Sequence, residues 1–181
     1  DIPWVRVTDA NGKVTEYRTE GFTEDISKHP IRSMDCMDCH NRPSHPFDPS
    51  ADKAVNRALA MGVIPREVPF IKREATAAIS QPYPNQQVAE DQIAQKLREF
   101  YRVNYNDFYM GRRPEVERAI AGATLMYKRN VFPEMNVGWG TYPNNIGHMD
   151  FPGCFRCHDD NHRTKDGKTI GQDCTLCHTM Q

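Results

Sequence analysis

Apolar positions recur at helical spacing through the middle of the chain. Ala51, Ala54, Val55, Ala58 and Leu59 share one face that stops at Gly62, and Val68, Ile71, Ala75, Ala78 and Ile79 share a second that begins near Pro69 and stops before Pro82. Val88, Ile93, Leu97, Phe100 and Tyr101 trace a longer stripe. Val116, Ala119, Ile120, Ala123 and Tyr127 trace a fourth that starts at Pro114, a residue whose fixed φ and missing N–H suit a first helical turn. The pattern predicts four helices. Near the N-terminus the period shortens: "WVRVTDANGKVTEYR" sets Val5/Val7 and Val14/Tyr17 on either side of Asn11-Gly12, a hairpin turn signal. The expected fold class is mainly α with little regular strand, an N-terminal β-hairpin and a separate helical segment.

The distribution of cysteine and histidine divides the chain into three parts. Residues 1–50 hold the hairpin and one Cys-x-x-Cys pair, residues 51–135 contain neither Cys nor His, and residues 136–181 hold two further pairs. The three parts are expected to form one folded unit. In the Gly- and Pro-rich run "NVGWGTYPNNIGH", read as loop, Trp139 and Tyr142 stand either to stack on a flat cofactor or, on the simpler reading, to pack.

Each cysteine pair is followed at once by a histidine: Cys36/Cys39 by His40, Cys154/Cys157 by His158 and Cys174/Cys177 by His178. No cysteine is left over. This repeated order is that of covalent haem attachment, in which one turn of chain carries both thiols to the vinyl-derived edges of a porphyrin and offers the next imidazole to the iron. The six cysteines are then thioether partners, and His40, His158 and His178 proximal iron ligands. A zinc ribbon would accept the spacing of Cys154/Cys157 and Cys174/Cys177, but it leaves Cys36/Cys39 without a partner pair and gives no reason for the adjacent histidines. A thioredoxin-type pair needs a βαβ setting that the pattern lacks.

Four histidines remain for the distal side of three irons: His29, His45, His148 and His162. Two strong ligands saturate an iron and make it an electron carrier, whereas an open position makes a site for small-molecule chemistry such as oxyanion reduction. His162 lies four residues after His158, on the same face of a continued helix, so it suits the third haem better than the second. His45 is a poor ligand for the iron of His40 for the same reason, while His29 and His148 precede their motifs. One histidine is surplus; it is either uncoordinated or completes an iron across a subunit boundary, in an oligomer or filament, or in another part of a longer chain. Met34, Met37, Met149 and Met180 are alternative axial ligands.

Composition changes the picture in one respect. Only 38% of residues are apolar and mean hydropathy is -0.74, low for a chain that must bury its own interior. Three porphyrins would supply the missing apolar surface, giving a haem-cored fold. The formal charge of -1 becomes more negative with haem propionates and excludes a nucleic-acid binder. The segment 51–135 carries 13 Lys and Arg against 10 Asp and Glu, so it is either a packing unit beside the haems or a docking surface.

The motifs "CMDCH", "CFRCH" and "CTLCH" with their extra histidines resemble the multihaem cytochromes c with bis-histidine ligation. The runs "HPIRSMDCMDCHNRPSH" and "GHMDFPGCFRCHDDNH" are similar to the haem-bearing part of NapC/NirT-type multihaem proteins, downstream of their membrane anchor. The resemblance implies three covalent haem c groups, electron transfer to other multihaem cytochromes or redox proteins, and export to a prokaryotic periplasm or cell exterior. The chain departs from that family in having no hydrophobic stretch able to span a membrane, so by itself it is not expected to oxidise a quinol. It starts at Asp1 without a signal peptide, as expected of a processed chain.

Overall fold

The computed structural model describes residues 2–41, 45–144, 152–176 and 179. Its contacts divide the chain into two units, one made of residues 1–44 with 145–181 and the other of residues 45–144. All three cysteine pairs belong to the first.

In the cysteine-bearing unit, β1 (Trp4–Thr8) and β2 (Val14–Arg18) form an antiparallel hairpin in which Val5 faces Tyr17 and Thr8 faces Val14. Gly12 sits at φ +78° in the turn, and the Asp9 carboxylate accepts from the amides of Asn11 and Lys13, each at 2.9 Å. This register puts Val14 on the opposite face from Val5, Val7 and Tyr17. Beyond the hairpin, the Arg18 and Arg163 backbones exchange hydrogen bonds of 2.9 and 2.8 Å, tying β2 to the segment between the second and third cysteine pairs. A single helical turn, α1 (Cys36–His40), carries the first motif.

The helical unit contains α2 (Ala51–Ala60), α3 (Ile71–Ile79), α4 (Gln86–Asn104), α5 (Asn106–Gly111) and α6 (Arg113–Asn130). Ser50 and Asn85 cap α2 and α4, their side chains accepting from Lys53 N and Val88 N. Four of the five are the helices the apolar stripes predict. The fifth, α5, buries only Tyr109 and is too short to show a period. Helix α3 starts at Ile71 rather than at Pro69 because Phe70 adopts φ 57°, a left-handed conformation that no helix can include.

Helix α6 packs on α2, α3 and α4. Val55, Ile64, Ile79, Ile93, Leu97, Tyr101, Val116, Met126 and Tyr127 close the core between them. Gly122 is where α6 crosses the turn after α2: a Cβ there would lie 2.8 Å from Ile64 Cγ1 and 2.9 Å from the Val63 carbonyl oxygen. Gly122→Ala should therefore destabilise the unit by about 1 to 2 kcal/mol, the overpacking cost outweighing the gain in helix propensity; urea melts of the two chains check this.

Trp139 and Tyr142 belong to this unit. The Trp139 indole donates to the Ile79 carbonyl at 3.0 Å, and Tyr142 stacks at 5.0 Å on Phe47, so ordinary packing accounts for both. Among the described residues, no helix is long and apolar enough to cross a membrane.

Every buried apolar side chain among the described residues lies in the helical unit. The buried residues among those described in the cysteine-bearing unit are Asp38, Asn41, His162 and the backbone of Gly153. A folded segment of that length without an apolar interior needs another source of buried surface.

Candidate haem-attachment sites

Helix α1 is short enough that its caps decide whether it forms. Asp35 accepts from Met37 N at 2.7 Å while its own amide donates to Asp38 Oδ2 at 2.9 Å, a reciprocal box around the first turn. Arg32 holds Asp38 from outside through Nε at 2.9 Å and Nη2 at 2.7 Å. With its ends fixed in this way, the turn presents Cys36, Cys39 and His40 at an exposed surface.

The second motif folds as a 3-10 turn, Gly153–Arg156, closed by hydrogen bonds from Cys157 N at 3.2 Å and His158 N at 3.0 Å to the Cys154 carbonyl. The third opens as a 3-10 turn at Cys174–Leu176, with Asp173 accepting from both the amide and the hydroxyl of Thr175. Cys177 and His178 lie outside the described residues.

The first two motifs lie together within their unit. Burial, followed by the neighbouring Cys154, pushes the Cys39 thiol up although the residue keeps solvent contact. Burial also pushes Cys157 up, opposed by the Arg156 guanidinium and reinforced by Cys39. Raised thiols are the opposite of what a redox-active pair requires. None of the described cysteines is in a disulfide.

The Nδ1 of His158 lies 2.9 Å from the Gly171 carbonyl oxygen, which can only accept, so in the neutral ring Nδ1 carries the proton and Nε2 the lone pair, the tautomer a metal ligand needs. The Gly171 contact arises because the sixteen residues between Cys157 and Cys174 double back. Thr164 N donates to the Lys168 carbonyl at 2.8 Å around Gly167 at φ +85°, and Ile170 N donates to the His162 carbonyl at 3.0 Å. The Asp166-Gly167 turn signal could have announced this return.

The spare histidines differ sharply. His29 is exposed and pairs through Nε2 with Glu24 at 2.8 Å. His45 is exposed, its ring meeting that of Phe47 at 4.4 Å. His148 lies outside the described residues. His162 is 1% exposed and uses both ring nitrogens: Nδ1 meets Asp159 Oδ1 at 2.8 Å and Nε2 meets the Ile2 carbonyl at 2.6 Å. Burial alone would raise the Asp159 carboxyl, but hydrogen bonds from the His162 ring and amide and from the Asn161 amide outweigh it and hold the group below its usual range.

These features fit a porphyrin. His158 places its Nδ1 against a carbonyl, the first two cysteine pairs are neighbours, and their unit buries no apolar side chain of its own among the described residues. Ile31 and Met34, just before the first motif, and Leu176, inside the third, are exposed apolar side chains of the kind a macrocycle would cover.

No protein-family model matches the chain. The chain is 42% identical over 183 aligned positions, 99% of its own length, to the cytochrome c-type protein ImcH of Geobacter sulfurreducens. The similarity supports a cytochrome c. The chain spans 36% of the length of that relative. No solved structure matches.

Proposed function

We propose that the chain is a three-haem electron carrier outside the cytoplasm, a segment of a multihaem c-type cytochrome that passes electrons between other cytochromes or redox proteins. The observation that carries this reading is the gathering of all three Cys-x-x-Cys-His motifs into a unit with no buried apolar side chain among its described residues. Its likeness to a c-type cytochrome supports the same reading. Haem c supplies one-electron exchange at iron. The chain would supply the rest: Cys36/Cys39, Cys154/Cys157 and Cys174/Cys177 would hold the macrocycles by thioether bonds, and His40, His158 and His178 would ligate the irons.

Distal ligation draws on His29, His45, His148 and His162, which outnumber the irons by one. His29 is released by opening an exposed ion pair, which costs little, whereas freeing Nε2 of His162 breaks a buried hydrogen bond. The surplus histidine is available to a haem in another copy or elsewhere in a longer chain. Two imidazoles per iron saturate it and favour electron transfer over substrate binding.

Intact mass together with EPR of the purified, haem-loaded protein tests this. Three haem increments and low-spin signals alone are expected; fewer increments, or a high-spin ferric signal that binds cyanide, would overturn it.

A further inference from the structure

Asp160 occupies an unusual place. It stands at φ 58°, in the left-handed region where a side chain is disfavoured, two residues after the motif histidine. Its amide donates to the Ile170 carbonyl at 3.1 Å, and its Oδ1 accepts from Gln172 N at 3.1 Å. The two bonds grip the returning chain on either side of Gly171. The peptide between them is thereby turned so that the Gly171 carbonyl meets His158 Nδ1 at 2.9 Å. Gly171 itself is not forced by space, since a Cβ there would meet only Asp160 Oδ1 at 3.8 Å. The constraint on the carbonyl comes from Asp160.

We infer that Asp160 is a positioning residue for the second haem: by holding the Gly171 carbonyl against His158 Nδ1 it fixes the ring's tautomer and orientation and strengthens Nε2 as a ligand. This rests on the reading of His158 as an iron ligand. A better donor to iron favours the ferric state, so the grip lowers the reduction potential of that haem relative to an ungripped one. Without it, Gly171 is free to rotate its carbonyl away and the imidazole loses its acceptor.

The test uses the haem-loaded full chain and two variants. D160G removes the carboxylate while suiting the left-handed backbone; D160N keeps an acceptor oxygen and tolerates that backbone. D160G should raise one of the three midpoint potentials by an amount equal to about a tenfold change in its reduction equilibrium, 59 mV for one electron, and leave the other two in place. D160N should stay within about twofold of the parent. In the parent, the Nδ1 proton of His158 should exchange slowly with solvent by paramagnetic NMR. Unchanged potentials in D160G, an equal shift in D160N, or rapid exchange of that proton in the parent overturns the inference alone. Peptide mass showing no haem on Cys154 and Cys157 overturns the reading of His158 and this inference with it.

Discussion

Withholding haem is expected to abolish ordered structure in the cysteine-bearing unit while leaving residues 45–144 helical and cooperatively folded. The division follows from where apolar surface is buried. The helical unit closes over side chains such as Val55, Ile93, Leu97 and Tyr127, all within 1% of full burial, and two of its helices, α2 and α4, carry side-chain caps. Burying each such side chain is worth about 1.5 to 3 kcal/mol, enough to offset chain entropy across a unit of this size. The cysteine-bearing unit has a two-stranded hairpin, one capped helical turn and a doubled-back loop, and a hairpin alone is marginal in water. A chain with all six cysteines changed to alanine should therefore keep the far-ultraviolet helical signal and thermal transition of a separately made 45–144 fragment. Amide exchange should be protected in α2, α3, α4 and α6 and fast in β1, β2 and α1. Protection of the hairpin in that haem-free chain would contradict the assignment of haem as its interior.

Arg57→Ala should damage the helical unit far more than loss of its other two-pronged arginine, Arg98. The Asp48 carboxylate is almost fully buried and receives Arg57 through Nε at 3.1 Å and Nη2 at 2.5 Å. Asn130 completes the cluster: its Oδ1 accepts from Asp48 N at 2.6 Å, and its Nδ2 reaches the Met126 carbonyl at 2.8 Å. Removing the guanidinium takes a two-pronged charged partner from a buried carboxylate, a loss of about 3 to 5 kcal/mol. For a unit of this size that lowers Tm by roughly 15 °C or more. Arg98 also forms a two-pronged pair, with Glu117 at 2.8 to 3.1 Å, but both side chains are substantially exposed. Arg98→Ala should cost under about 1 kcal/mol. Thermal melts of the two variants give the comparison, and equal losses would show that burial of Asp48 is not what makes its partner matter.

Helices α2, α3, α4 and α6 were legible because each apolar stripe is long enough to register a 3.6-residue period, and Cys36, Cys39 and His40 lie on one turn by spacing alone. Three kinds of feature were not legible. Phe70 gives no warning that it will adopt a left-handed backbone, since the fold around it, with Arg73 4.8 Å over its ring and Tyr105 5.6 Å away, imposes that geometry. The helical unit runs past residues 51–135 at both ends because Phe47, Asp48, Trp139 and Tyr142 pack onto it, contacts between residues distant in sequence that no local pattern encodes. The third is the role of each spare histidine. His29 and His162 look alike in the sequence, yet one is on an exposed ion pair and the other is buried with both nitrogens engaged.

The two ends of the helical unit meet. Phe47 and Tyr142 rings are 5.0 Å apart, and the Pro49 carbonyl lies against Gly140. Bringing the ends of a free segment of about a hundred residues together costs on the order of 4 kcal/mol in chain entropy by the logarithmic length law, before the constant term. Once the helices have folded, that cost has already been met inside a structure that needs no cofactor. The first cysteine pair, synthesised long before the second, is then joined to it by a short tether rather than a long one. A haem-free block in the middle of the chain thus acts as a covalent shortcut, raising the effective concentration of one haem-bearing end for the other during maturation.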